Sequence, residues 1–389
     1  MNLDISNNAR YREMLEELCG QRPDEFNLML EKLLNIVAVI EREKYIGAGH
    51  YERSESRTCH ANGFKDKTLL TRTGPLSLKV PQVRDGDFYP SSFEKGMRSE
   101  RALKLSLGEM YVQGVSTRKV KAITEELCGT EISSSTVSRA AKLLDDDLDQ
   151  FRNRALGRYK FIFLDAHYEK VRHTGSVQGL ACLKAVGVTH DGHREIIGVS
   201  VSLSEAEVHW RTFLEGLQKR GLSGVELFIS DDHTGLKAAK QSVYPSVPWQ
   251  RCTFHLAQNA QAYVPKKNMR EEIAETVRDI FSCSSKSKAQ EKAQEVAEEY
   301  SKKAPEFSKW LEENIEEGMT FYSFPKVAWK KIRTVNVVER LHSEIRRRTR
   351  VVRIFPNTES CLRLVTAVLQ EFHESWVGSG RRFINLEKE

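Results

Sequence analysis

Short apolar runs without helical periodicity begin near Tyr159, and they restrict the fold of this chain more than any other feature. Two of them, Lys160–Asp165 and Val225–Ser230, lead directly to a carboxylate, Asp165 in the first and Asp231 after the second. Such runs indicate strands buried on both faces, which are typical of α/β domains. Because open α/β sheets place their sites at the carboxyl ends of strands, we expect both acids at strand ends and close together. The same pattern predicts further strands at Leu180–Val188, Glu195–Leu203 and Val247–Phe254, and a helix at Glu205–Arg220.

The α/β pattern is interrupted by a long, highly charged segment. From His255 to about Gly318 the chain has helical spacing and no strand pattern. We therefore interpret residues 264–325 as an all-α insertion between the two parts of one domain, residues 151–263 and 326–389. A closing helix is predicted over Asn357–Val377.

A basic helix is predicted within the stretch Asn336–Pro356, after the insertion. Between residues 326 and 353 there are ten Lys or Arg against two Glu, a surplus of eight, whereas the net charge of the whole chain is only +6. Helical spacing puts Val338, Leu341 and Ile345 on a buried stripe, and Glu339, Ser343, Arg346 and Arg350 on a neighbouring face. We expect Arg346, Arg347 and Arg350 to contact a phosphate backbone beside Glu339. A solvated basic helix with a salt-bridged glutamate is the alternative.

The first part of the chain reads as smaller domains, as expected for 389 residues. Residues 1–46 are predicted to form a helical hairpin that pairs with another subunit. Residues 47–98 form a small basic region with a β-hairpin, Lys67–Thr73 and Leu76–Val80, around Gly74-Pro75. This region fits an arm that contacts DNA, although a solvated sheet face explains its charges almost as well.

Residues 99–150 have the pattern of a helix-turn-helix domain. Ser116–Leu127 begins with a capping serine and is predicted to bury Val120, Ile123 and Leu127. The second helix, Ser133–Leu144, starts with small hydrogen-bonding residues, as recognition helices do. The residues expected to contact DNA are Arg118, Lys119, Ser134, Ser135 and Arg139. A plain three-helix bundle is the alternative, but it gives the polar first turn of the second helix no packing role.

No apolar run approaches the ~20 residues that a membrane span needs, and the first residues lack the pattern of a signal peptide. We therefore expect a cytoplasmic protein. The seven cysteines are scattered and never spaced Cys-x-x-Cys, which favours reduced thiols. Cys252 and His255 are spaced as half of a metal site, but no second pair at ligand spacing accompanies them.

Asp165, Asp231 and Glu339 are the candidate catalytic residues. Two strand ends and one helix can bring these acids together around paired cations, as phosphoryl transfer on DNA requires, and oxygen ligands favour Mg²⁺ or Mn²⁺. We assign the second ligand to Asp231 and not to Asp232. Asp232 is predicted to cap a helix over His233–Gln241, so that its replacement by Asn would cost well under ~1 kcal/mol.

Several long segments also match a known family. They are Gly86–Pro90, Glu109–Val120, Ser133–Arg139, Leu164–Arg172, Ser230–Leu236, Trp249–His255, Asn336–Leu341, Arg347–Val352 and Ile354–Asn357. With these segments the chain resembles the bacterial Mutator-type insertion-sequence transposases, nearly end to end. The resemblance implies an RNase H-like catalytic domain interrupted by a helical insertion. It also implies a metal-binding triad of Asp165, Asp231 and Glu339, with Cys252 and His255 supporting the active site.

The chain departs from the family pattern at two positions. His342 follows Glu-Arg-Leu where the family usually has Asn, and Gln258 precedes Asn259 where Arg is common. Neither departure removes a carboxylate of the triad.

These features predict a DDE transposase that binds the ends of its element and a target, both double-stranded DNA, as a homodimer or higher oligomer at the nucleoid. With Mg²⁺ or Mn²⁺ it would hydrolyse a phosphodiester to free a 3′-hydroxyl, which then attacks another strand in a transesterification. A tyrosine recombinase is a rival, but the last tyrosine, Tyr322, precedes the basic helix. A catalytically silent, transposase-derived DNA-binding regulator is the other alternative.

Overall fold

The structure, a computed structural model, describes residues 26–49, 52, 56–71, 73–84, 86–93, 101–128 and 132–386. The chain divides into two compact units, Met1–Tyr111 with Val115–Leu143 and Val112–Gly114 with Leu144–Glu389. The finer division into six segments stays a prediction. In the part of the chain that the structure describes, no helix combines the length and apolar character needed to cross a bilayer.

A helix packed on a β-hairpin forms one part of the first unit. Helix α1 (Phe26–Ile46) lies on strands β1 (His60–Thr71) and β2 (Gly74–Arg84) and buries Ala38 against the hairpin. The side chains of Glu31 and Asn35 accept hydrogen bonds from the backbone amides of Ser77 and Lys79, at 2.8 and 2.7 Å. These bonds satisfy edge amides that a two-stranded sheet would otherwise leave unpaired. The predicted hairpin is confirmed, with longer strands, whereas residues 1–25 of the predicted helical pair lie outside the described residues.

Three helices form the second part of this unit, α2 (Arg101–Val112), α3 (Thr117–Cys128) and α4 (Ser134–Ala141). They share a core of Leu103, Leu107, Val120, Ile132, Val137 and Ala140. The hydroxyl of Ser116 accepts from the amide of Lys119 at 3.3 Å, which confirms the predicted cap. Ile123 is 37% exposed, so its predicted burial is wrong, and Thr124 faces inward instead. Helix α4 is shorter than predicted, because a 3₁₀ turn over Lys142–Leu144 follows it.

A mixed five-stranded sheet forms the centre of the second unit, after helix α5 (Asp145–Asn153). The strands are β3 (Tyr159–His173), β4 (Ser176–Thr189), β5 (Arg194–Ser202), β6 (Leu227–Ser230) and β7 (Trp249–Arg251), and their spatial order is β5-β4-β3-β6-β7. Strands β3, β6 and β7 run parallel, whereas β4 pairs antiparallel with β3 and β5. Helices α6 (Glu207–Lys219) and α7 (Thr234–Val243) contribute to the core that covers one face. This arrangement supports the predicted α/β class.

Two strand ends differ from the prediction. Strand β3 does not end at Asp165 but continues to His173, because β4 pairs with it along this length and Phe355 exchanges backbone hydrogen bonds with Lys170 and Arg172. Strand β7 has only three residues, and helix α8 (Thr253–Ala260) begins where the strand was expected to continue.

The remaining described elements are helical. Helices α9 (Arg270–Ile280), α10 (Lys286–Lys303) and α11 (Pro305–Asn314) lie in the predicted insertion, together with short 3₁₀ turns. Helices α12 (Lys326–Ile332), α13 (Asn336–Val352) and α14 (Thr358–Gly378) follow, and α14 is the predicted closing helix. On α13, Val338, Leu341 and Ile345 are buried, as the helical spacing predicts.

Candidate active site

Backbone hydrogen bonds join the ends of β6 and β7 to the start of α13. The amide of Cys252 donates to the carbonyl of Ser230 at 2.7 Å, and the amide of Val335 donates to the Cys252 sulfur at 3.4 Å. The amide of Thr253 also donates to the carbonyl of Arg333, at 2.9 Å. Because these bonds hold the three elements at one corner, the residues that follow them, Asp231, His255 and Glu339, lie at that corner too.

Strand register brings Asp165 to the same corner. Phe163 on β3 pairs with Ile229 on β6, so two residues further along, Asp165 and Asp231 stand at the same level of the sheet. The Asp165 charge acts on both of the other predicted ligands, since it contributes to the raised pKa of Asp231 and to that of Glu339. The structure therefore brings together the three acids that the sequence singles out.

Burial and mutual repulsion both act on these carboxylates. Burial is the main cause of the raised pKa of Asp231, followed by the charge of Asp165. Burial also raises the pKa of Glu339, against the opposing charge of His255. A fourth carboxylate, Glu205, has its pKa raised by burial and by the charges of Asp231 and Asp165. No sequence signal distinguishes Glu205, which precedes α6, from an ordinary surface glutamate.

The carboxylate oxygens of this cluster are suitable ligands for a divalent cation. Asp165 Oδ2 and Glu339 Oε1 are buried oxygens that lack a hydrogen-bond partner in the described part of the chain. Lys184 Nζ lies 2.9 Å from Asp165 Oδ2, and His255 Nε2 lies 3.5 Å from Glu339 Oε1. Neither contact has the geometry of a hydrogen bond. Carboxylates that are buried and repel one another are stabilised by a hard cation such as Mg²⁺ or Mn²⁺.

A second group of potential ligands lies beside Glu339. Among the described residues, atoms of Cys252, His255 and Glu339 all lie within 4.8 Å of one another. The pKa of His255 is raised to about 9, first by the Cys252 sulfur and then, against desolvation, by the charges of Asp231 and Glu339. In the absence of a metal, the raised pKa of His255 favours an ion pair between His255 and Glu339. The supporting role of Cys252 and His255 stays a prediction.

A buried polar strip that we did not predict runs along β3. Lys184, on β4, lies directly across from Asp165, and its side chain is 1% exposed. Burial and then the Lys184 charge lower the pKa of both His167 and His342 to about 3. Their rings are 4.5 Å apart, and both are neutral near pH 7. One signal was available, since Lys184 is the only charge in the apolar run Leu180–Val188.

The prediction that Asp232 caps a helix is wrong. Helix α7 has His233 at its N-cap position, without a side-chain capping bond. Asp232 Oδ2 instead lies 3.1 Å from the guanidinium of Arg251, which is 2% exposed, and Asp232 Oδ1 lies 3.2 Å from Lys237 Nζ. Glu317 contacts the same two cations, at 2.9 and 2.7 Å. Asp232 therefore belongs to a partly buried ion-pair network.

The arginines of α13 divide into a buried and an exposed set. Arg348 is buried and pairs with Glu371 at 2.7 Å, so it supports the fold. Arg346, Arg347 and Arg350 are exposed, and Arg347 pairs with Glu344 at 3.0 Å. Arg346 and Arg350 make no ion pair with residues that the structure describes, which leaves both available for phosphates.

In the first unit, the predicted DNA contacts lie on α3 and α4. Ser133 caps this helix by accepting from the amide of Thr136 at 3.2 Å, so the polar turn has a structural role that we did not predict. The side chains of Arg118, Lys119, Ser135 and Arg139 are exposed, and that of Ser134 lies outside the described residues. Their contact with DNA stays a prediction.

Comparisons with known proteins identify the family of this chain. The family model described as "Transposase, Mutator family" matches residues 6–379. The transposase for insertion sequence element IS406 of Burkholderia multivorans is 49% identical over 92% of this chain and 92% of its own length. The transposase for insertion sequence element ISRM5 of Rhizobium meliloti is 43% identical over 96% of this chain and 94% of its own length. The transposase for IS256 in transposon Tn4001 of Staphylococcus aureus is 40% identical over 92% of this chain and 93% of its own length. The chain therefore belongs to the Mutator family of transposases.

Proposed function

We propose that this transposase cleaves and joins DNA by a DDE mechanism, with a catalytic domain of the RNase H-like class. The observation that carries the proposal is the cluster of Asp165, Asp231 and Glu339: the first two stand at the same level of neighbouring strands, and Glu339 Oε1 is a buried oxygen without a hydrogen-bond partner among the described residues. The three acids would hold the divalent cations. Mg²⁺ or Mn²⁺, when bound, activates the attacking oxygen and stabilises the leaving oxygen of a phosphodiester.

The surrounding side chains position the reactants. Glu339 is in the first turn of α13, and the exposed Arg346 and Arg350 follow it along the same helix. A DNA strand whose phosphates bind these arginines is therefore held beside the acidic cluster. His255, whose Nε2 lies 3.5 Å from Glu339 Oε1, would help to orient this carboxylate. The first step is hydrolysis, in which water breaks a phosphodiester and leaves a 3′-hydroxyl. In the second, that hydroxyl attacks a phosphodiester of the target, so that a new phosphodiester forms and the 3′-oxygen of the target strand leaves as a hydroxyl.

Recognition of the element ends is assigned to helices α3 and α4. As a helix-turn-helix, this pair places the start of α4 in the major groove, with Ser134, Ser135 and Arg139 toward base edges. Arg118 and Lys119 on α3 then face the backbone. Residues 1–46 would join two or more copies of the chain, so that both ends are held in one cytoplasmic complex on the nucleoid.

The test uses the full chain and labelled duplexes with the terminal inverted repeats found beside its gene. With Mg²⁺ or Mn²⁺ we expect 3′-hydroxyl ends and then joined products, and neither with EDTA. A scrambled duplex should bind more weakly, since each lost base contact costs ~1 to 3 kcal/mol. Binding of the ends without cleavage under any metal condition would instead support the silent DNA-binding regulator.

The basic face of α13 has its own test, the salt dependence of DNA affinity. Each phosphate contact contributes a slope of ~0.9 to the plot of log K against log salt for B-DNA. Arg346→Gln and Arg350→Gln should each flatten the plot by about this amount and weaken binding to every sequence alike.

Lys302→Gln serves as the control, because it removes an equally exposed positive charge from α10. Its slope should equal that of the wild type. If the two arginine variants behave like the control, their side chains form only a solvated helix face.

A further inference from the structure

Lys184 is a buried lysine in the middle of the sheet. Its side chain is 1% exposed, and the neighbouring positions on β4, Leu183 and Ala185, are fully buried. Removing an ammonium group from water is costly, so a lysine in such a place needs a paired negative charge. Among the residues that the structure describes, the carboxylate within ion-pair distance is that of Asp165, 2.9 Å away.

The pairing matters because Asp165 belongs to a crowded group of acids. Its charge contributes to the raised pKa of Asp231, of Glu205 and of Glu339. Without a divalent cation, the repulsion among these carboxylates opposes folding of the site. Lys184 supplies a positive charge inside the sheet. The side chains of the acids are more exposed than that of Lys184, 12% for Asp165 and 35% for Glu339.

The contact also gives the two oxygens of Asp165 different partners, the ammonium of Lys184 for one and a metal ion for the other. Lys184 Nζ lies against Oδ2, the oxygen that is buried and lacks a well-formed hydrogen bond. The other oxygen, Oδ1, therefore remains for a metal ion. Because the two residues pair directly across antiparallel strands, the backbone itself fixes where the ammonium lies.

We propose that Lys184 is a built-in counter-cation, which holds the Asp165 carboxylate in place before the metal binds and remains in the site afterwards. This inference rests on the proposed metal-binding role of the triad. It makes Lys184 a positioning residue that stabilises the metal-free site. A fixed positive charge beside the ligands also repels a divalent cation, so Lys184 lowers the metal affinity of the cluster.

The test compares the full-length wild type with Lys184→Met, which keeps an unbranched side chain, one atom shorter, and removes its charge. Both proteins are stripped with EDTA and titrated with Mn²⁺, and the free ion is followed by electron paramagnetic resonance. We expect Lys184→Met to bind Mn²⁺ about tenfold more tightly or better. Its Tm in EDTA should lie below that of the wild type, and saturating Mn²⁺ should narrow the difference.

Lys240→Met is the matched control. Lys240 is also buried, at 6% exposure on α7, but burial alone lowers its pKa, without a contribution from any carboxylate. Its replacement should leave the Mn²⁺ affinity unchanged. If Lys184→Met also keeps the wild-type affinity and loses the same Tm with and without Mn²⁺, Lys184 only supports packing, and the inference is wrong.

Two further outcomes are decisive. If the wild type binds no Mn²⁺, the proposed metal site is wrong and this inference is wrong with it. If the wild type binds Mn²⁺, the metal site stands, and the Lys184→Met variant alone then tests the role of Lys184. If Lys184→Met does not fold, the double variant Asp165→Asn with Lys184→Met removes both charges of the pair. It then shows whether the unpaired charge or the altered packing prevents folding. Folding of the double variant would support the counter-cation, and its failure to fold would overturn it.

Discussion

Asp231→Asn should abolish strand cleavage, with a loss of at least ~10³-fold, while the variant still folds and binds the element ends. The amide keeps the size of the side chain but removes the charge that the divalent cations require. Folding should even improve slightly, because burial and the charge of Asp165 already disfavour the ionised form of Asp231. The measurement is cleavage of labelled end duplexes in Mg²⁺, together with a shift assay and thermal unfolding.

Asp232→Asn is the matched comparison, since it makes the same chemical change one residue further along. Cleavage per folded molecule should stay within ~tenfold of the wild type, because Asp232 binds Arg251 and Lys237 and is not assigned to the metal. Stability should fall by ~1 to 3 kcal/mol, since buried Arg251 keeps Glu317 but loses one of two carboxylates. Near wild-type cleavage by Asp231→Asn, or its loss only in Asp232→Asn, would show that the ligand is assigned to the wrong residue.

The sequence predicted features that depend on local periodicity. Helix α13 with its buried Val338, Leu341 and Ile345 repeats every three to four residues, and this repeat is visible in any helix with one packed face. The hairpin around Gly74 and the cap at Ser116 have equally local causes, turn chemistry and a side-chain acceptor for a free amide.

Features that depend on strand pairing could not be predicted in the same way. Asp165 was expected at a strand end because it follows an apolar run and open α/β sheets place their sites at the carboxyl ends of strands. Its partner Lys184 lies 19 residues later and meets it only through the antiparallel register. The prediction for Asp232 was wrong for a related reason. Its contact with Arg251, which also binds Glu317, depends on how β7 and the helical region pack and not on local sequence.

The second large effect is expected for Gly235→Ala, near the start of α7. A Cβ atom on Gly235 would overlap the carbonyl oxygen of Glu205 and lie 2.9 Å from the backbone nitrogen of Glu207. Backbone atoms cannot rotate away as a side chain can, so the start of α7 must move from the segment before α6. Overpacking of this kind costs ~1 to 3 kcal/mol or more, and we expect ~3 kcal/mol here.

Gly216→Ala provides the control, because the same methyl group is added inside α6, where a Cβ would meet nothing within 4 Å. In a helix interior this change should stabilise by ~0.5 to 1 kcal/mol, so the two variants should shift Tm in opposite directions. Gly235→Ala should also reduce cleavage in its folded fraction, because the displaced segment carries Glu205 and α7 follows Asp231. Equal Tm values for the two variants would mean that the approach of α7 to residues 205–207 does not depend on a missing side chain.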